Sequence, residues 1–351
     1  MTSRCSPLIV LQLAAALTGC SSSDPGPLDL GARLDQPLQD IAMAKDTAPP
    51  PEARAEDLAG LDLPGADAAT TASPYDHDGK QTVTSFNLTV TIGLRSFIET
   101  VYLPGAPGPH AVVLLRPGLL QPAAAYTTYG RRLASHGIVT LIRDDPGALT
   151  STTVVVADLT HVVKTVLPAE NAQAGGKLAG RLDLTRVALA GHSRGGKATL
   201  VAAAQGLQGK LKGWVGIDPV DSIVLGGVMA RDVIGGIGVP TLFLGASVSS
   251  TCSPAADNYK LLHAAAPAPS VAFTFVGAGH TQFEDQAHCV LCAACAPAGT
   301  AAQPTVLSRS ARYLMAFFAR ELLGDATVGS TLDGAGAAAD IAAGLITRTA
   351  K

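Results

Sequence analysis

Apolar residues in this chain gather in short runs divided by glycine- and proline-rich turns, and the character of the runs changes along the sequence. From Thr82 to Thr91 and from Ile98 to Leu103 the pattern alternates and is rich in Val, Ile and Thr, which predicts paired strands with one exposed face. Later runs are continuous: Ala111 to Leu115, Ile138 to Ile142, Val187 to Ala190, Gly213 to Ile217, Val239 to Leu244 and Val271 to Val276. Continuous runs of this length suit strands buried on both faces of a parallel sheet. Helices are predicted over 123–135, 154–166, 197–205 and 311–323, between or after these strands. Strands alternating with helices predict an α/β domain, a mostly parallel sheet covered on both sides. Such sheets bind ligands at the carboxyl ends of their strands.

The pattern fails at both ends. Residues 1–19 hold Arg4 and an apolar stretch from Pro7 to Leu17, followed by Cys20, and read as an export signal. The stretch is too short to span a bilayer, which needs about 20 residues. It resembles a bacterial lipoprotein signal, which implies that Cys20 becomes the lipid-bearing first residue and holds the protein to a cell-envelope membrane; simple secretion is the alternative. Residues 20–78, rich in Pro, Ala, Asp and Gly, read as a disordered tether. The folded domain is expected over 79–325, and residues 326–351 as a Gly/Ala-rich tail with a weak helical pattern from Ala337 to Ile346.

Composition narrows the picture. With 351 residues, 47% hydrophobic and 15% charged, the chain can bury a sizeable core. A net charge of -3 without Lys/Arg clusters gives no basis for binding nucleic acid. Export removes Cys5 and lipidation occupies Cys20, which leaves Cys252, Cys289, Cys292 and Cys295. An exported compartment favours two disulfides among them, in any of three connectivities. The rival is a zinc site drawing on the same cysteines and His288.

The candidate chemistry lies at strand ends. Gly191, His192, Ser193, Arg194 and Gly195 follow the run Val187 to Ala190 and precede a helical stretch, so the serine sits on a sharp strand-turn-helix elbow. Asp218 and His280 also follow apolar strands directly, which brings all three to one edge of a parallel sheet. A serine hydroxyl needs an imidazole to take its proton, and the imidazole needs a carboxylate to hold its tautomer. Asp221 is the alternative acid. His192 is expected to pack beneath the elbow, and the chemistry asks for no cofactor or metal.

These residues, in the order Ser, Asp, His, resemble the α/β hydrolases, and in particular the chlorophyllases, platelet-activating-factor acetylhydrolases and bacterial cutinase-like polyester hydrolases. The resemblance runs from about Thr82 to Leu323 and is carried by the segments 191–197, 216–221, 118–121, 134–137 and 279–285. It implies the α/β-hydrolase fold and hydrolysis of small or lipid-like carboxylic esters through an acyl-enzyme; the short, glycine-rich span between Asp218 and the strand at Val239 leaves little room for a lid. It also implies an oxyanion hole made by the backbone N–H groups of Leu119 and Arg194. Cutinase-like members carry their acid after the strand matching Val239 to Leu244; that loop has no carboxylate here until Asp257, which directs the role to Asp218. Acyl transfer or peptide cleavage on the same fold, or a non-catalytic binding role at the surface, are the alternatives.

Overall fold

In a computed structural model of the chain the described residues are 73–147, 149–223, 226–285 and 294–351. The chain divides into two units, Met1–Gly65 and Ala66–Lys351, and all of these residues belong to the second. The signal, Cys20, most of the expected tether, Cys289 and Cys292 lie outside the described residues.

Among the described residues nine strands form one sheet. They are β1 (Val83–Ile92), β2 (Arg95–Pro104), β3 (His110–Arg116), β4 (Ile138–Arg143), β5 (Leu182–His192), β6 (Leu211–Ile217), β7 (Thr241–Ala246), β8 (Ser270–Phe275) and β9 (Ile346–Ala350). Their spatial order is β1-β2-β4-β3-β5-β6-β7-β8-β9. Pairings from β4 across to β8 are parallel, and the outer pairings β1–β2, β2–β4 and β8–β9 are antiparallel. This is an α/β-hydrolase architecture. On β3, Val112 and Leu114 join a core with Leu189, Leu200 and Trp214, while Val113 and Leu115 join another with Tyr126, Phe273 and Phe317. A side-chain period of two thus feeds both faces, which is why the run reads as uninterrupted.

The helices depart from expectation mainly at their ends. The stretch expected over 154–166 is a helix Thr152–His161, a wider π-helical turn Val162–Val166 and a further helix Leu167–Ala172. Pro168 lies just past the wider turn in this unbroken helical run, where its missing N–H leaves one helical bond unmade. The helix expected to start at Lys197 starts at Ser193, because the elbow glycines belong to its first turn. Between β6 and β7 the described residues hold one helical turn, Ala230–Val233, and the short turn Ile234–Gly236, so no lid domain stands there. No helix of the described residues is long and apolar enough to cross a membrane.

Two boundaries need correction. The expected tether reached residue 78, but Tyr75 is buried, its hydroxyl donates to Asp325, and its carbonyl accepts from Arg132 at 2.5 Å. Asp76 pairs with Arg312 at 3.1 Å. The expected C-terminal tail is packed structure: a helix Ala335–Ala342 and then β9, which lies antiparallel to β8 with Ile346 opposite Phe275. Ile346–Ala350 is too polar to announce a strand; β8 supplies the unpaired edge that orders it.

Candidate active site

The end of β5 turns into the helix Ser193–Val201 within one residue, and Ser193 takes the left-handed backbone conformation at φ 52°. The neighbouring glycines are required by packing. A Cβ on Gly191 would lie 2.3 Å from the Gly195 carbonyl oxygen, and one on Gly195 would lie 2.1 Å from that of Arg116. Two other non-glycine residues among those described share positive φ, Leu120 at 60° and Asp218 at 37°. Strained backbone of this kind costs on the order of 1–3 kcal/mol per residue and persists where the surroundings over-determine it. All three flank one edge of the sheet.

Ser193, Asp218 and His280 meet there. The Ser193 Oγ lies 2.9 Å from His280 Nε2, and His280 Nδ1 lies 2.6 Å from Asp218 Oδ2. The second oxygen of Asp218 accepts the Ala246 N–H at 3.0 Å from the end of β7, and the Asp218 N–H donates to the Leu244 carbonyl at 2.6 Å. His280 opens the short turn His280–Phe283, reached from β8 through Gly277 at φ 72°. All three residues are buried. Geometrically, the serine can hand a proton to an imidazole whose other nitrogen is held by a carboxylate.

Beside the serine runs the loop after β3. A Cβ on Gly118 would sit 3.4 Å from the Ser193 Cβ, so this loop touches the elbow directly. The Gly118 N–H donates to the Tyr126 hydroxyl at 2.9 Å and the Leu120 N–H to Asp145 Oδ1 at 3.0 Å. Between them, the Leu119 N–H has no hydrogen-bond partner among the described residues. Arg194 is the second residue of the serine helix, where N–H groups have no acceptor in the helix itself. Its buried side chain reaches Asp145 Oδ1 at 3.3 Å, the Gly147 carbonyl at 3.0 Å and the Thr150 carbonyl. Asp145 therefore ties the elbow to the turn that presents Leu119.

The structure does not bring Asp221 to His280. Its carboxylate accepts the N–H groups of Ala230 at 2.7 Å and Arg231 at 3.0 Å, and lies 3.7 Å from the buried Lys197 ammonium. Cys252 and Cys295 form a disulfide. That bond takes two of the sulfurs on which the rival zinc site drew, and among the described residues no three His, Cys, Asp or Glu gather as metal ligands. Oxidation also ties the loop after β7 to the segment beyond His280.

His192 packs beneath the elbow as expected, but sequence reasoning missed the partners it meets there. His192 Nδ1 lies 2.8 Å from the Tyr126 hydroxyl and 3.3 Å from Glu284 Oε1, and Nε2 lies 3.0 Å from the His280 carbonyl. Burial, and then repulsion from His280, holds His192 well below the ordinary histidine range. Burial pushes Glu284 up to about 8, with the Tyr126 hydroxyl working weakly the other way. Burial thus favours the neutral form of each. Glu284 follows the short turn in extended backbone, so its spacing from His280 gave no signal, and Tyr126 offered none.

A profile of the family described as PETase, PET hydrolase-like, matches residues 65–301. The chain is similar to Cutinase 1 of Thermobifida cellulosilytica, 27% identical over 172 residues that make up 48% of this chain and 58% of the relative. It is likewise similar to a cutinase of Thermobifida fusca (strain YX), 27% identical over 172 residues, 48% of this chain and 51% of the relative. Cutinase est1 of Thermobifida alba is 27% identical over 169 residues, 48% of this chain and 52% of the relative. The chain spans about half the length of the curated relatives it matches.

Proposed function

The chain belongs to the PET hydrolase-like family, whose fold is the α/β hydrolase, and from that premise we propose that it hydrolyses carboxylic esters through an acyl-enzyme on Ser193. The observation that carries this reading is the hydrogen-bonded run from Ser193 Oγ through His280 to Asp218. His280 Nε2 takes the serine proton as Oγ attacks the ester carbonyl, and Asp218 stabilises the imidazolium that forms. The oxyanion of the tetrahedral intermediate is received by the N–H groups of Leu119 and Arg194. His280 returns the proton to the departing alcohol, and the acyl-enzyme is then cleaved by water that His280 activates in turn.

Several features support an apolar, bulky ester. Leu149 is 84% exposed and Ile223 77%, and with Val228 and Val276 they lie in the segments that follow β4, β6 and β8 at the carboxyl edge of the sheet. With no lid domain between β6 and β7, a substrate reaches this edge without a large opening motion. The same reading takes the protein as exported, secreted or held to a membrane by lipid on Cys20, on the support of the pattern in residues 1–20.

The test is to label the purified protein with a fluorophosphonate and map the adduct, alongside p-nitrophenyl esters of graded acyl length. An adduct on Ser193 and a kcat/KM that rises with acyl length are expected. No adduct on Ser193 would sink the reading.

A further inference from the structure

Under the elbow, a chain of hydrogen bonds runs in one direction between the two parts of the site that must be held apart at a set distance. The Gly118 N–H donates to the Tyr126 hydroxyl oxygen at 2.9 Å. The Tyr126 hydroxyl lies 2.8 Å from His192 Nδ1, and His192 Nε2 lies 3.0 Å from the backbone carbonyl of His280. A carbonyl only accepts, so Nε2 carries the proton; in the neutral ring Nδ1 is then the acceptor for Tyr126. One end of the chain is the residue before Leu119, and the other is the base. Hydrogen bonds aligned in this way inside a low-dielectric interior strengthen one another.

We infer that His192 and Tyr126 are positioning residues that lock the oxyanion turn and the base to each other across Ser193, an inference that rests on the serine-hydrolase reading above. Gly118, Tyr126 and His192 are all buried, so no water competes for these bonds. The bridge is not what holds the segments folded. The turn that bears His280 is fastened independently to the helix start near Tyr126: Tyr129 donates to the Phe283 carbonyl at 2.9 Å, the Asp285 N–H to the Ala125 carbonyl at 2.8 Å, and the Thr128 N–H to Asp285 Oδ2 at 2.9 Å. A neutral His192 also suits its place, because its ring centroid lies 4.6 Å from that of His280, which becomes cationic in the cycle. Removing the hydroxyl of Tyr126 therefore leaves the fold fastened and frees the Gly118 turn to shift by fractions of an ångström.

The test compares Tyr126→Phe, His192→Ala, His192→Gln and the double variant Tyr126→Phe/His192→Ala with the unaltered chain on p-nitrophenyl butyrate, reading kcat and KM separately and thermal unfolding beside them. Losing an oxyanion donor outright costs about 10²–10³ in kcat, and a donor displaced by about 1 Å can cost about 10². Tyr126→Phe should accordingly lower kcat by roughly 10- to 100-fold, with KM within about threefold. The double variant should lose no more than the worse single one, since both break the same bridge. His192→Gln, which keeps a donor for the His280 carbonyl, should recover part of what His192→Ala loses. A folded Tyr126→Phe with unchanged kcat, or losses that multiply in the double variant, would overturn the inference; if the His192 variants do not fold, Tyr126→Phe decides alone. Fluorophosphonate labelling of the unaltered chain separates the two levels. With an adduct on Ser193 and an unchanged Tyr126→Phe, the bridge alone fails, and without an adduct the hydrolase reading fails and the bridge with it.

Discussion

Two histidines lie side by side at the carboxyl edge of the sheet, His280 and His192, with ring centroids 4.6 Å apart, and each has one carboxyl group for company. The two carboxyl groups are received in opposite ways. Asp218 accepts the Ala246 N–H on one oxygen and faces His280 with the other. Among the described residues no backbone N–H donates to Glu284; Oε1 stands 3.3 Å from His192 and 3.5 Å from the Tyr126 hydroxyl, and Oε2 is buried without a partner there. The difference teaches that a buried carboxyl group takes its role from the donors its neighbours present. Given an amide, it can brace a base. Given none, it keeps its proton and serves as neutral filling.

The largest effects test that contrast directly. Asp218→Asn should lower kcat by about 10⁴-fold, as the loss of the group that fixes the base's tautomer does in a comparable triad. Glu284→Gln should change kcat by no more than about tenfold, in keeping with a group that holds its proton anyway. Steady-state kinetics on one ester decides the matter, and equal losses would erase the distinction.

Next comes the oxyanion turn. Leu119→Pro deletes the N–H that lies between the two anchored amides of that loop and should cost about 10²–10³ in kcat. Full turnover in a folded variant would remove Leu119 from the site.

Asp221 extends the comparison to stability. Its carboxylate serves Ala230, Arg231 and Lys197, not a histidine, so Asp221→Asn should lower Tm by about 5 °C or more while kcat stays within about threefold. Differential scanning calorimetry and kinetics on the same sample make the check, and a collapse of kcat without loss of Tm would restore Asp221 as the acid.

The smallest effect concerns pH. Folded Glu284 keeps its proton up to about 8, whereas the unfolded residue gives it up near 4.5. The folded state thus holds a proton that the unfolded state lacks, and the stability this contributes is full below about pH 4.5 and lost as pH rises through about 8. The Tm of the unaltered chain should fall from pH 5 to pH 8 by more than that of Glu284→Gln, measured in matched buffers. An identical fall in both would mean that Glu284 is charged in the folded protein.

Much of the fold was legible along the chain. Six continuous apolar runs became β3 to β8, because a strand covered on both faces must be apolar at every position. The elbow was legible for a similar reason: the close approaches at Gly191 and Gly195 admit no side chain, so the residue types announce the geometry. β9 was not legible, since Ile346–Ala350 carries two threonines and an arginine and forms only against the free edge of β8. The packing of Tyr75 and Asp76 was hidden in the same way, because their partners Asp325 and Arg312 lie more than two hundred residues away.

The sequence by itself determined what local chemistry dictates: alternating strands and helices, a nucleophile elbow, and a serine, a carboxylate and a histidine each following an apolar strand. The sequence favoured Asp218 and kept Asp221 as the alternative; only the tertiary structure showed that the first, not the second, lies against His280. The two stand three residues apart in one loop, and the choice turns on a backbone at φ 37° that aims one side chain at β7 and β8 and on N–H groups that capture the other. It likewise placed His192 between two loops, where burial and the neighbouring His280 hold its proton affinity well below the ordinary range. Proton affinity and hydrogen-bond direction depend on which distant groups burial brings within 3 Å, and no local pattern encodes that.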